Sequence, residues 1–143
     1  MSFNYTLEGD ELIVEEGTTA IPDFTFRQNN LFLTVVLPTT LERIGRFAFD
    51  GTRLTEVSLP DSLITIEQGA FRQSDLTELV VPDSVVSIGA SAFDNTDLST
   101  VRLSDSLTSI GEDAFYSCTS LTSITIPSYV ISSGLPAKNS IVG

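Results

Sequence analysis

Nineteen carboxylates, one cysteine and no histidine set the chemistry that this chain can attempt. Histidine is the commonest general base and metal ligand near neutral pH, so its absence removes most hydrolytic and metal-assisted mechanisms at once. Cys118 has no imidazole to draw off its proton, and so cannot form a Cys–His pair. The carboxylates are plentiful but regularly placed. Asp61, Asp83 and Asp105 occupy one recurring slot, directly after Pro60, Pro82 and Ser104, where aspartate closes turns. Paired-carboxylate hydrolysis needs two such groups facing each other across a cleft, and no insertion in this sequence supplies one. Stacked aspartates can bind calcium, yet the glycine-aspartate nonapeptides of calcium-binding solenoids are missing. A Gly-x-x-Ala-Phe stretch recurs, but without the lysine and the following helix of a phosphate-binding loop. These residues predict no catalysis, no metal site and no cofactor.

Composition narrows the partners. The chain has 143 residues, the size of one domain, and 41% of them are hydrophobic, enough to build a core. A net charge of −12 repels phosphate backbones and anionic lipid heads, which argues against nucleic acid and membrane surfaces. Acid is densest near the start, at Glu8, Asp10, Glu11, Glu15, Glu16 and Asp23, with Arg27 the only base before Arg43. A single cysteine excludes an internal disulfide framework. No run approaches the roughly 18 apolar residues of a membrane span, so no membrane insertion is expected. The first residues, Met-Ser-Phe-Asn-Tyr-Thr-Leu-Glu, carry neither the basic nor the apolar part of a secretory signal. The default expectation is the cytoplasm, or a cell or virion surface if a leader is missing or another export route operates.

The elements that must position these residues are announced by a repeat. Phe49, Phe71, Phe93 and Phe115 follow one another at steps of 22, as do Ile44, Ile66, Ile88 and Ile110. Leu41, Leu63, Val85 and Leu107 keep the same step, and so do Pro38, Pro60 and Pro82. Four independent columns with one period define a repeat architecture. One unit runs from Leu54 through Val57, Leu59, Pro60, Leu63 and Ile66 to Ala70 and Phe71. Leu76, Leu98 and Leu121 open the next units, and the longer stretch Tyr116–Ser120 accounts for a step of 23 before Pro127. Leu12 and Val14, with Ile21 and Phe26, fit a degenerate first unit.

The spacing dictates the local structure. Val57 and Leu59 are two apart, so they share one face of a strand while Glu56 and Ser58 turn outward. Proline, which lacks a ladder donor, then ends the strand. Leu63 and Ile66 begin a second extended segment, and the Gly-x-x-Ala-Phe stretch folds the chain back with the ring inside. Gly45, Gly89 and Gly111 are expected to supply tight backbone geometry there, with Glu67 breaking the column. No unit can bury its apolar side alone, so units stack and their strands pair in parallel about 4.8 Å apart. The prediction is a solenoid of five coils with a sixth strand over Leu121 to Ile126, carrying a sheet about 24–29 Å long with little or no α-helix. Domain boundaries are expected at 1–127 for the solenoid, with a cap coil near 5–31 and repeats over 32–127. Residues 128–143 abandon the repeat and would form a tail or cap, with Ile131, Leu135, Ile141 and Val142 as its apolar contacts.

The outward columns of the first strand are the candidate binding surface. One holds Thr55, Thr77 and Ser99, the next Glu56, Glu78 and Thr100, and the third Ser58, Val80 and Arg102. Together they present hydroxyls, two central glutamates, one arginine and some exposed aliphatics, a mixture suited to a protein or, alternatively, a glycan. Threonine and serine also simply suit exposed strand positions, which is the plainer account of the hydroxyls. Glutamate, arginine and leucine interrupt the columns too often for an ice-ordering array.

The unit Leu-x-x-Ile-x-Leu-Pro-x-x-Leu-x-x-Ile-Gly-x-x-Ala-Phe-x-x-Cys resembles the BspA-like, or Treponema-type, leucine-rich repeats. The match is closest over Leu98 to Cys118 and Leu121 to Pro127 and covers roughly residues 12 to 127. The resemblance implies a curved leucine-rich-repeat solenoid with its parallel sheet on the concave side. It also implies kinship with surface proteins of bacteria and protozoa, some of them adhesive. Asn29, Thr52, Ser74 and Thr96 stand where the family pattern has the cysteine that only Cys118 retains. The function expected is a non-catalytic module that binds a protein, or a glycan, through the exposed sheet. The rival is a structural component that self-associates through the solenoid ends within a larger particle or surface layer.

Overall fold

A computed structural model describes residues 3–127 and Val130. Short apolar-alternating runs become the first strand of each coil: β2 (Glu11–Val14), β4 (Thr34–Val36), β6 (Glu56–Val57), β8 (Glu78–Val80) and β10 (Thr100–Arg102). The second strand of each coil is two residues long: β3 (Ala20–Ile21), β5 (Arg43–Ile44), β7 (Thr65–Ile66), β9 (Ser87–Ile88) and β11 (Ser109–Ile110). Each contains the isoleucine of the repeat, and that side chain is fully buried or nearly so. β3, β5, β7, β9 and β11 form one parallel sheet in coil order, pairing Ile21 with Ile44, Ile44 with Ile66, Ile66 with Ile88 and Ile88 with Ile110. Columns of the sequence are thus neighbours in space. The fold is a parallel β-solenoid of about five coils with essentially no α-helix.

The core is a ring stack. Phe49, Phe71, Phe93 and Phe115 are fully buried and nearly coplanar, with centroids 5.3–5.4 Å apart and interplanar angles of 4–6°. Phe26 continues the stack at 5.4 Å, tilted by 22°. Phe32 takes the place that Leu54, Leu76, Leu98 and Leu121 hold in later coils, and meets Phe26 and Phe49 edge-on. The small polar column closes the turn beyond each ring. The hydroxyls of Thr52, Ser74 and Thr96 donate to the carbonyls of Phe49, Phe71 and Phe93, each three residues back. Gly89 and Gly111 are needed for close approach: a Cβ on Gly111 would stand 2.2 Å from the Ala90 nitrogen of the coil before.

Four features differ from the sequence expectation. First, β1 (Tyr5–Glu8) precedes the cap coil and pairs antiparallel with β2 through the tight turn at Gly9 and Asp10. Gly-Asp between two four-residue runs is a hairpin signal in its own right. Second, the first-strand sheet is divided. β1, β2, β4 and β6 form one ladder and β8 with β10 another, and no hydrogen-bonded ladder joins β6 to β8. Glu56 and Glu78 lie in the same column on either side of this break, and like charges at facing positions oppose strand pairing. Third, no strand forms over Leu121 to Ile126. Leu121 is buried and Ile124 and Ile126 are partly buried against the core, so the alternation aims side chains correctly. A ladder also needs N–H and C=O groups in register with a neighbour, and this run joins none among the described residues. Fourth, a second step of 23 separates the first two coils, from Ile21 to Ile44 and Phe26 to Phe49. The expected tail at 128–143 lies outside the described residues except for Val130, which is buried.

Removing one ring opens a void that two neighbouring coils share. Phe93→Ala is expected to lose about 3–5 kcal/mol of stability, measured by chemical denaturation. A loss below about 1 kcal/mol would contradict the stacked core.

Candidate functional site

Charge is distributed very differently over the two sides of the solenoid. On the side of the second strands and the returning turns, opposite charges alternate from coil to coil. Arg27 Nε lies 3.0 Å from Asp50 Oδ2, Arg72 bridges Asp50 at 3.5 Å and Asp94 at 3.7 Å, and Asp50 is almost fully buried between the two guanidiniums. Arg43 lies between Asp23 at 2.7 Å and Glu67 at 3.2 Å, and Arg46 reaches Asp23 at 3.3 Å. Glu67, which interrupts the glycine column, is therefore used as an ion-pair partner.

The first-strand face has no such balance. A groove of about 760 Å³ runs across β4, β6, β8 and the break between the two ladders. Glu11, Glu56, Asp61, Glu78 and Asp83 line it, opposed by Arg102 alone. None of these five carboxylates joins an ion pair among the described residues, whereas Asp23, Asp50, Glu67 and Asp94 all do. Its floor is apolar, built from Val57 and Leu59, both half-buried, with Leu79 below and Val80 standing 59% exposed. Val36, one coil away from Ser58 in the same column, is also exposed.

Of the residues singled out from the sequence, Glu56, Ser58, Glu78, Val80 and Arg102 come together in this groove. Thr55, Thr77, Ser99 and Thr100 are exposed but do not line it. The Thr55 hydroxyl donates to Leu33 O and the Ser99 hydroxyl to Thr77 O, both at 3.3 Å, so two of the hydroxyls are spent on the neighbouring coil. Asp61 and Asp83, read from the sequence as turn formers, belong to the groove rim. The turn slot does also carry a coil-to-coil bond, since Asp83 Oδ1 accepts the N–H of Asp105 at 3.2 Å. Glu11 entered the sequence reading only as part of the acidic start; its pairing with Thr34, and that of Thr34 with Glu56, puts it in the glutamate column. On the second segment Ile64 is exposed and Val86 half-buried, and the two are neighbours joined by the Val86 N–H to Ile64 O bond at 2.9 Å.

Cys118 is buried, and burial pushes its thiol above the ordinary range. It lies 3.1 Å from both Thr96 Oγ1 and Phe93 O, a structural place in the polar column. No group of three or more histidine, cysteine, aspartate or glutamate residues in metal-binding geometry occurs among the described residues.

A BspA type leucine rich repeat region matches the chain in six copies over residues 19–135. No curated protein matches it significantly. Among solved structures, a leucine-rich repeat protein from Eubacterium ventriosum superposes with a TM-score of 0.78 at 24% identity, covering 85% of this chain and 32% of that one. The pneumococcal vaccine antigen PcpA gives 0.57 at 21% identity, covering 80% and 40%. The T. pallidum leucine-rich repeat protein gives 0.52 at 23% identity, covering 92% and 91%. The chain spans only about a third of the first of these proteins and two-fifths of the second. Likeness at these identities establishes the solenoid.

The charge pairs make a pH prediction. The Arg46 backbone N–H, 2.8 Å from Asp23 Oδ1, holds the Asp23 carboxyl below its ordinary 3.8, and the Arg43 guanidinium adds to this. A carboxyl depressed by folding stabilises the fold above its ordinary value, and that contribution disappears as pH falls through the folded one. Burial pushes Asp94 the other way despite Arg72, so its contribution is present below 3.8 and is lost as pH rises. Asp23→Ala should therefore be less stable than the parent at pH 7 and converge with it in acid, while Asp94→Asn should lose least at neutral pH. Parallel denaturation curves for Asp23→Ala and the parent at every pH would contradict this.

Proposed function

The chain belongs to the BspA type leucine-rich repeat family, and from that premise we propose that it is a non-catalytic interaction module which binds a protein through the first-strand face. The observation that carries this reading is the groove: an open depression with an apolar floor, lined by five carboxylates that lack ion-pair partners among the described residues. Exposed valine at the centre of a charged surface supplies the apolar contact area that a protein partner can bury. Carboxylates left unpaired add selectivity among partners more than affinity. The groups present suit recognition rather than bond-making, since histidine is absent and the one cysteine is buried with a raised thiol. A glycan would draw instead on the hydroxyls of Thr55, Thr77, Ser99 and Thr100. No helix among the described residues is long and apolar enough to cross a membrane.

Photo-crosslinking residues placed at Ser58 and Val80 should capture a partner from extracts of the source cells, while the same residue at Gln68 or Thr108 should not. Glu78→Ala and Arg102→Ala should each weaken the capture. Equal capture from both sides, or capture unaffected by the two substitutions, would reject this face.

A second reading, self-association, is favoured by β1. Its four residues are exposed, Tyr5 and Leu7 among them, and it is the outermost strand of its ladder. An open strand edge is a template for another chain. Light scattering on the eluting protein should then give a dimer mass that reverts to monomer in Leu7→Pro, which removes an N–H from the open edge and not from the bonds to β2; a monomer at high concentration rejects this reading.

A further inference from the structure

Resting on the proposal that the first-strand face is the docking surface, we infer that its occupant is a cationic extended peptide segment, with lysine or arginine alternating with apolar residues. Three observations lead to this chemistry. The first is the imbalance of charge. The groove sets five carboxylates against one guanidinium, whereas Asp23, Asp50, Glu67 and Asp94 on the opposite side each have an arginine partner.

The second is the placement of like charges beside one another. Glu11 pairs in register with Thr34 and Thr34 with Glu56, and Glu78 follows across the break. Stacking puts Glu56 and Glu78 on consecutive coils, where like charges work against folding. The alternation of Arg27, Asp50, Arg72 and Asp94 shows that the same stack accommodates opposite charges in sequence. A local choice that opposes stability without a compensating contact inside the chain is the signature of a functional surface.

The third is shape. The carboxylates lie in two rows, Glu11, Glu56 and Glu78 on the strands and Asp61 and Asp83 past their ends, with exposed Val80 and half-buried Val57 in the same lining. An extended chain presents every second side chain to one face, about 6.8 Å apart. A segment seated here turns its basic side chains to the carboxylates and lays their aliphatic stems along the valines, while the alternate apolar side chains face away from the groove. Arg102, the one guanidinium in the lining, receives a polar or acidic position of the segment rather than a basic one, which orients it.

Affinity for a synthetic peptide of alternating lysine and valine, with a glutamate–valine peptide as control, tests the inference by calorimetry or fluorescence anisotropy. The lysine peptide should bind and the control should not, with affinity falling steeply between about 50 and about 500 mM salt. Glu56→Gln with Glu78→Gln should weaken binding about tenfold, as expected for two exposed ion pairs. The same double variant should raise the melting temperature by about 1–3 °C, because it removes a repulsion, so lost binding cannot be ascribed to misfolding. Asp97→Asn with Glu112→Gln removes the same charge outside the groove and should leave affinity within about twofold. Equal weakening by the two double variants would mean attraction to net charge alone and would overturn the inference, as would failure of the lysine peptide to bind. Because the crosslinks from Ser58 and Val80 are read separately, a failed peptide with intact crosslinking discards only the cationic occupant, whereas loss of both discards the face as well.

Discussion

No coil of this protein can keep its own phenylalanine out of water. The ring of Phe71 is covered by Phe49 on one side and Phe93 on the other, at 5.3 and 5.4 Å, and each of those depends on its own neighbours. Sealing by translation is the constraint from which the rest follows. It requires every coil to place the ring at the same point, so the backbone on either side of the ring must also repeat. The Thr52, Ser74 and Thr96 hydroxyls bonded to the carbonyls of Phe49, Phe71 and Phe93 fix that backbone from within. Buried polar groups that are satisfied in this way reinforce one geometry rather than weakening the core.

Translation also sets the electrostatics. A side chain on the surface has as its nearest neighbours the residues 22 or 23 places before and after it in the chain. Charge in one column must therefore either alternate or repel. One column alternates, from Arg27 through Asp50 and Arg72 to Asp94, and encloses a buried carboxylate without leaving it uncompensated. The glutamate column does not alternate, and the sheet ladder parts between Glu56 and Glu78. The same stacking rule thus yields a cohesive side and a side that is left open.

What the sequence made legible is what the repeat imposes: the solenoid, the buried columns of isoleucine and phenylalanine, the structural role of Cys118 and the outward aim of Glu56, Ser58, Glu78, Val80 and Arg102. What it concealed are the places where one coil differs from the next. The hairpin of β1 hangs on two residues, Gly9 and Asp10, outside the period. The gap between β6 and β8 arises from a relation between coils that each look regular alone. Backbone conformation was hidden for a related reason. Phe24, Phe47, Gly69, Ser91 and Asp113 share a left-handed conformation, as do Gln28, Gly51, Gln73, Asn95 and Ser117, though most are residues that avoid it locally. The N–H groups of the first four in each set donate to carbonyls of the following coil, Phe47 to Gln68 at 2.9 Å and Gln73 to Asp94 at 2.8 Å among them. The bond between coils overrides the preference within one, and a preference overridden in this way leaves no mark on residue type.

The same reasoning separates recognition from catalysis in this architecture. Chemistry at a single atom needs unlike groups converging on it, such as a base, a nucleophile and a charge stabiliser. Stacked repeats bring like groups together: hydroxyl beside hydroxyl, valine near valine, carboxylate beside carboxylate. A converging set has to come from a departure from the repeat, and the departure on the first-strand face assembles carboxylates, valines and one arginine. Such a row of repeated groups matches a ligand that is itself repetitive along its length, and an extended polypeptide, with its side chains recurring every second residue, has that form.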